Sequence, residues 1–134
     1  MIYFDSCALL GFIKREPETG ALRDWRAGLP AGTELLTSEL AELEVARALL
    51  RARVDHERVP YFAGQALRGV YRVSLTSTVL ARARSYRTLG LGTLDSLHLA
   101  SADPFRPDLT GFVTYDKELS GTAAELGFPV IAPA

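Results

Sequence analysis

Asp5 follows the apolar run Ile2-Tyr3-Phe4, Asp116 follows Phe112-Val113-Thr114-Tyr115, and a helix-like segment comes after each acid. Strand, acid, helix at both ends of a chain puts two carboxylates, distant in sequence, at the C-terminal ends of two strands. If those strands are parallel neighbours, both acids share one edge of the sheet, where open α/β folds build their sites. Carboxylates crowded in a crevice without counter-charge repel one another. Such a crevice favours a bound divalent cation, and oxygen donors select a hard one such as Mg²⁺ or Mn²⁺. On this reading the chain is a metal-dependent enzyme.

Two further acids belong to the same expectation. Asp95 falls in the first turn of a helix that Thr93 can cap, and Glu44 lies on the long helical pattern that follows Ser38. Each acid has an ordinary role open to it. Asp5 and Asp116 can be N-caps, Asp95 suits the positive end of a helix dipole, and Glu44 can pair with a nearby arginine. Their combination at strand-to-helix junctions and early helical turns is what points to a site, because unneutralised carboxylates gathered at one edge destabilise a fold that has no cation for them. Helical phase separates the two neighbouring glutamates. At 100° per residue, Glu44, Arg47 and Arg51 fall within about 60° of each other, whereas Glu42 points roughly 160° away from Glu44. With Leu43, Leu50 and Val54 on one side and Ala41, Ala48 and Ala52 on the other, the Glu44 stripe is expected to be enclosed.

The remaining reactive side chains read as structural. His98 shares the helical face of Asp95, where it can orient a carboxylate or contact a substrate, though a packed, hydrogen-bonded role is the simpler expectation. His56 sits in the polar stretch Asp55-His56-Glu57-Arg58 and is expected to be exposed. Cys7 has no histidine partner nearby and is expected in the core.

The elements that must carry the acids follow from pattern. Ile2–Phe4 reads as a strand and Ser6 to about Lys14 as a helix; Pro17 reopens a helix that Gly28 to Gly32 closes. Leu35 to Thr37 is a brief strand, Ser38 a cap for about sixteen helical residues, and Pro60 opens a helix ending near Gly69. Val70 to Leu75 is a strand, Thr76 starts a helix to Leu89, and Leu94 to about Ala102 is helical. A Pro-rich loop follows, then a strand at Gly111–Thr114, a helix at Lys117–Leu126 and a last strand at Val130-Ile131. Strands alternating with helices predict a parallel sheet covered on both faces.

With 134 residues, 48% of them hydrophobic, the chain suits a single domain, 1–134, with one real core. A lone cysteine, the lack of a signal-peptide pattern and the lack of any apolar run of ~20 residues predict a cytoplasmic protein with no membrane role. The net charge of -1 gives no bulk support to nucleic-acid binding, so any such contact must be local. Arginine outnumbers lysine 13 to 2, which suits phosphate recognition through the guanidinium fork but equally reflects a GC-rich genome.

Four blocks carry a resemblance. Tyr3-Phe4-Asp5-Ser6-Cys7-Ala8-Leu9, Thr37-Ser38 with Glu44 six residues beyond the serine, Leu94-Asp95-Ser96-Leu97-His98-Leu99-Ala100 and Val113-Thr114-Tyr115-Asp116 resemble, in order, the blocks of PIN-domain ribonucleases, and most closely the VapC-type toxins of toxin–antitoxin pairs. The first block departs from the usual Thr-Ser or Thr-Asn by having Ser6-Cys7. The resemblance implies a three-layer α/β/α sandwich with a central parallel sheet and endonucleolytic cleavage of RNA with Mg²⁺ or Mn²⁺. It makes Asp5, Glu44, Asp95 and Asp116 the catalytic and metal-holding acids. It further implies a homodimer, a cognate VapB-type antitoxin, and contact with DNA only through that antitoxin. Arg47 and Arg51 become candidates for gripping substrate phosphates, with pairing on the helix surface as their alternative.

Three rival readings remain at this stage. A non-catalytic PIN-like RNA-binding or interaction module would normally lack one or more of the acids. A haloacid-dehalogenase-like phosphatase needs a second Asp two residues after the first, where this chain has Cys7. A metal-free ribonuclease needs two cooperating histidines, and His56 and His98 stand in unlike contexts.

Overall fold

Five short strands, β1 (Ile2–Phe4), β2 (Leu35–Ser38), β3 (Val70–Val73), β4 (Gly111–Val113) and β5 (Val130–Ile131), pair in parallel in the order β3-β2-β1-β4-β5. This computed structural model describes all residues 1–134. The helices are α1 (Ser6–Leu10), α2 (Thr19–Ala27), α3 (Leu40–Arg51), α4 (Val59–Ala66), α5 (Ser77–Ser85), α6 (Thr93–Ala102) and α7 (Lys117–Glu125). A 3-10 helix spans Asp103–Asp108. The expected three-layer α/β/α sandwich is the observed architecture.

Alternation along the central strand sorts the layers. Ile2 and Phe4 of β1 pack with Leu9, Leu22, Val45, Leu49 and Ala63 from α1 to α4 on one face. Tyr3, between them, packs with Leu36, Phe112, Leu99 and Leu119 on the other, under α6 and α7. Tyr3, Phe4 and Phe112 are fully buried, as a strand covered on both faces requires. Gly111 opens β4 because a Cβ there would stand 2.7 Å from Ile131 Cδ1 and 2.9 Å from Ile2 Cδ1. Without a side chain at that position the three strands can close up, and Phe4 then lies beside Val113 in register. Asp5 and Thr114 therefore leave the sheet side by side.

Several elements differ from the pattern reading. The first helix stops at Leu10 instead of running to about Lys14, because Pro17 and the Thr19 hydroxyl, which donates to Lys14 O at 2.9 Å and accepts from Glu16 N at 2.9 Å, pull the chain into a turn. α5 ends at Ser85, where Tyr86 turns extended and anchors its hydroxyl on Asp103 at 2.9 Å. The Pro-rich loop is the 3-10 helix, braced by an Arg106–Asp103 pair at 3.1 Å. Ser38 is the last residue of β2, and its hydroxyl still accepts from Leu40 N at 3.1 Å as the chain enters α3. Cys7 is exposed, against expectation: on the single turn of α1 its neighbours Ser6, Ala8 and Leu9 take the inward positions. No helix is long and apolar enough to cross a membrane.

Candidate active site

Asp5 follows β1 and caps α1, and only 3% of it is exposed. Its Oδ1 accepts from Ala8 N at 2.8 Å, and the Thr114 hydroxyl donates to its Oδ2. Thr114 also accepts from Asp116 N at 3.1 Å, so one hydroxyl ties the ends of β1 and β4 together. Asp116 in turn caps α7, its Oδ1 accepting from Glu118 N at 2.9 Å and Leu119 N at 3.0 Å. The capping roles open to both acids at the level of sequence are therefore real. They do not exhaust carboxylates that have about four lone-pair positions each.

Glu44 comes from the second turn of α3 and is half-buried. Its Oε1 accepts from the Ser6 hydroxyl at 2.6 Å and lies 2.6 Å from His98 Nε2. His98, 2% exposed, has its other ring nitrogen 2.7 Å from the Tyr3 hydroxyl. Asp95 lies in the first turn of α6, three residues before His98, half-buried and without an ion-pair partner. The four acids thus rise from the C-terminal edge of one parallel sheet, carried by β1–α1, α3, α6 and β4–α7.

Electrostatics links them. Burial pushes the Asp5 carboxyl up, against the hydrogen bonds from Thr114 and Ala8, and the charge of Asp116 pushes the same way. Asp95 is raised by burial and then by the charges of Asp116, Glu44 and Glu118, with His98 opposing. Glu44 differs: burial alone would raise it, but the hydrogen bond and charge of His98 and the Ser6 hydroxyl hold it below the usual carboxylate range. Although Cys7 reaches the surface, partial desolvation of its sulfur, reinforced by the charges of Asp5, Asp116, Glu44 and Asp95, pushes the thiol up to about 11, which disfavours the thiolate.

No arginine or lysine pairs with Asp5, Asp95, Asp116 or Glu44. The basic ion pairs are Lys14–Glu16, Arg72–Glu42, Arg82–Asp103 and Arg106–Asp103, all elsewhere. The donor set is therefore all-oxygen, anionic and uncompensated, apart from one histidine. No three acidic, histidine or cysteine side chains converge closely enough to cage an ion directly. By donor type alone, oxygen ligands of this kind would match a hard divalent cation such as Mg²⁺ or Mn²⁺ and not a thiolate-seeking one.

The Glu44 stripe is not enclosed along its length. Arg47 and Arg51 are exposed and Leu43 is 60% exposed, because α3 buries Leu40, Ala41, Val45 and Leu49 instead. The stripe leads from the crevice outward to solvent. Glu42 is exposed and pairs with Arg72 on the edge strand β3 at 3.7 Å. A cleft of about 500 Å³ is lined by Glu18, Thr114, Asp116, Lys117 and Ser120, and one of about 270 Å³ by Cys7, Lys14, Glu16 and Tyr115; of the four acids only Asp116 lines either. The parts that sequence reasoning missed are Tyr3, Ser6 and Thr114. Thr114 had a signal, since a hydroxyl two residues before a capping Asp often bonds to local backbone; Tyr3 had none.

Comparison with known proteins bears on the family and the fold. The PIN domain family model matches residues 2–125. Ribonuclease VapC47 of Mycobacterium tuberculosis (strain CDC 1551 / Oshkosh) is 36% identical over 136 residues, covering 99% of this chain and 97% of its own. Ribonuclease VapC35 of M. tuberculosis (strain ATCC 25618 / H37Rv) is 37% identical with the same coverage, 99% and 97%. Among solved structures, M. tuberculosis VapC20, a Sarcin-Ricin loop cleaving toxin, superposes with a TM-score of 0.75 at 16% identity, covering 99% of this chain and 100% of that one. VapBC2 from Rickettsia felis, bound to a DNA fragment from its promoter, gives 0.76 at 13% identity over 100% of both chains.

Proposed function

We propose, from the premise that this chain belongs to the PIN-domain family and within it to the VapC-type ribonucleases, that it is a Mg²⁺- or Mn²⁺-dependent endoribonuclease and the toxin of a type II toxin–antitoxin pair. The observation that carries the reading is the set of four carboxylates at one sheet edge, two of them raised by burial and by their neighbours' charge, with no arginine or lysine to balance them. A fold keeps such a cluster at a cost in stability, and a bound cation removes that cost.

Asp5 and Asp116, tied through Thr114, make one wall of the crevice, and Glu44 and Asp95 make the other. When bound, Mg²⁺ or Mn²⁺ supplies an activated water and charge relief for hydrolysis of a phosphodiester. Asp5 and Asp116 hold their positions through backbone N–H and hydroxyl donors, so their negative charge remains available. Arg47 and Arg51, exposed and unpaired on the side of α3 that Glu44 shares, grip backbone phosphates of an RNA laid across the crevice.

The partners belong to the same proposal: a VapB-type antitoxin, through which alone DNA is contacted, and a second copy of the chain. Exposed Leu43, Leu80 and Leu94 provide apolar surface for such contacts. A cytoplasmic location accords with an RNA substrate and a single free cysteine.

The test is cleavage of RNA by the purified chain with Mg²⁺ or Mn²⁺. Attack of water with departure of the 3′ oxygen leaves a 5′-phosphate and a 3′-hydroxyl, and EDTA should stop the reaction. Cyclic-phosphate ends, or undiminished cutting in EDTA, would refute the mechanism. Expression of the chain alone should arrest bacterial growth and co-expression of the neighbouring small protein should restore it; normal growth with abundant folded protein counts against the toxin.

A further inference from the structure

Glu44 is held differently from Asp5 and Asp116. Asp5 and Asp116 are anchored by backbone N–H groups of the helices they cap, which any strand-to-helix junction supplies. Glu44 lies inside a helix, where no backbone donor is free, and reaches the crevice on a long flexible side chain. Its anchors are side chains from two other elements. Ser6 and His98 both meet Oε1, at 2.6 Å each. No hydrogen bond ends on Oε2, and since no buried side-chain oxygen lacks a partner, Oε2 is in contact with solvent. One oxygen is saturated and the other is presented.

His98 itself is fixed from below. The Tyr3 hydroxyl stands 2.7 Å from Nδ1, and the Tyr3 ring is stacked on Phe112 with centroids 5.1 Å apart and 10° between planes. Tyr3 is fully buried in the central strand, so its position is set by the sheet. A carboxylate only accepts hydrogen bonds, so the proton facing Glu44 must be on Nε2, and Nδ1 can then accept from the Tyr3 hydroxyl. The sequence Tyr3 hydroxyl, His98 ring, Glu44 Oε1 is a strut from the middle of the sheet to the crevice.

We infer that Tyr3 and His98 are positioning residues that lock Glu44 with Oε1 occupied and Oε2 aimed into the crevice as a one-oxygen ligand for a divalent cation. The inference deepens the proposed nuclease reading and rests on it for the cation. Partners of this kind, one step behind a ligand, typically change metal affinity or activity by about 10- to 100-fold when removed.

Tyr3→Phe keeps the aromatic stack and deletes only the hydroxyl; His98→Gln keeps a donor near the Nε2 position, and His98→Ala removes it. Mn²⁺ affinity is measured calorimetrically on the full chain, with RNA kinetics beside it. The expected order of weakening is Tyr3→Phe by a few-fold, His98→Gln more, and His98→Ala by about 10- to 100-fold, with kcat falling and KM for RNA unchanged. Repeated in a Glu44→Gln background, Tyr3→Phe should weaken Mn²⁺ no further; an equal loss there means it does not act through Glu44 and overturns the inference. Folded Tyr3→Phe and His98→Gln proteins with parental Mn²⁺ affinity also overturn it. Should His98→Ala fail to fold, Tyr3→Phe decides. A parent that neither binds Mn²⁺ nor cuts RNA defeats the nuclease proposal instead, and the strut is then judged by nitrogen NMR of the cation-free protein. A proton on His98 Nε2 supports it, and its absence overturns it.

Discussion

Asp95 and Asp103 sit at opposite ends of α6, and their surroundings are reversed. Asp103 lies at the C-terminal end, where the helix dipole disfavours a negative charge, and it is compensated three times over: by Arg82 at 3.3 Å, Arg106 at 3.1 Å and the Tyr86 hydroxyl at 2.9 Å. Asp95 lies at the N-terminal end, where the dipole is favourable, yet Asp116, Glu44 and Glu118 press on it and only His98 opposes them. A chain with 13 arginines has spent two on one structural acid and none on the four in the crevice. The acid that serves the fold is neutralised by the protein, whereas the acids of the proposed cation site are left without a basic partner.

The largest effect expected from this contrast is on activity. Glu44→Gln should reduce RNA cleavage by at least about 100-fold while circular dichroism stays native, since the change keeps shape and removes charge. Glu42→Gln, on the same helix but paired with Arg72 at the edge strand, should stay within a few-fold of the parent. If Glu42→Gln were the inactive variant, the crevice would have to be rebuilt around the other side of α3.

The next effect is on stability, and it should have opposite signs at the two ends of α6. Asp103→Ala strands Arg106 and the half-buried Tyr86 hydroxyl and should cost about 2 kcal/mol in urea unfolding, with cleavage retained. Asp95→Asn should abolish cleavage yet raise the urea midpoint in EDTA. The pH dependence gives the sign a second check. Because the folded pKa of Asp95 is raised, the native state binds its proton more tightly than the unfolded state, so stability falls as pH rises from about 4 through the raised value. The parent in EDTA should therefore lose more stability over that range than Asp95→Asn does. Glu44 works in the other direction, its lowered pKa contributing stability above about pH 4 that is lost on acidification. Equal pH profiles for the parent and Asp95→Asn would remove the claim that Asp95 is uncompensated.

The smallest expected effect belongs to the arginines outside the crevice. Arg47→Ala should raise KM for RNA a few-fold, leave kcat alone and flatten the salt dependence of binding by about one counterion. An unchanged salt dependence would return Arg47 to the role of an ordinary exposed helix residue.

The strands and helices were legible where pattern and packing agreed. β1, β4 and the helix after each could be read from apolar runs ending in an acid, and α3 from its 3.6-residue period. The errors came where a distant contact overrode the local pattern. α5 ends at Ser85, short of Leu89, because Tyr86 reaches Asp103, and α1 ends at Leu10 because Thr19 folds the chain back on Lys14. Cys7 was misread as core because its residue type is usually buried, while the single turn of α1 turned it outward. The enclosed stripe on α3 failed for a similar reason: alanines and leucines beside a charge say that a face could be buried, but only the neighbouring helices decide which face is.

The sequence by itself determined the order of strands and helices, the placing of Asp5 and Asp116 after strands, and the phase that separates Glu44 from Glu42. These are local properties, set by residue type and by the repeat of each element. Only the tertiary structure decided that β1 and β4 are neighbours in register, that Thr114 ties Asp5 to Asp116, and that Tyr3 and His98, 95 positions apart, brace a glutamate from a third element. The physical reason is range. Dihedral preference and periodicity act over a few residues, whereas the charge balance of a crevice is set by whichever side chains the packed sheet and helices bring together.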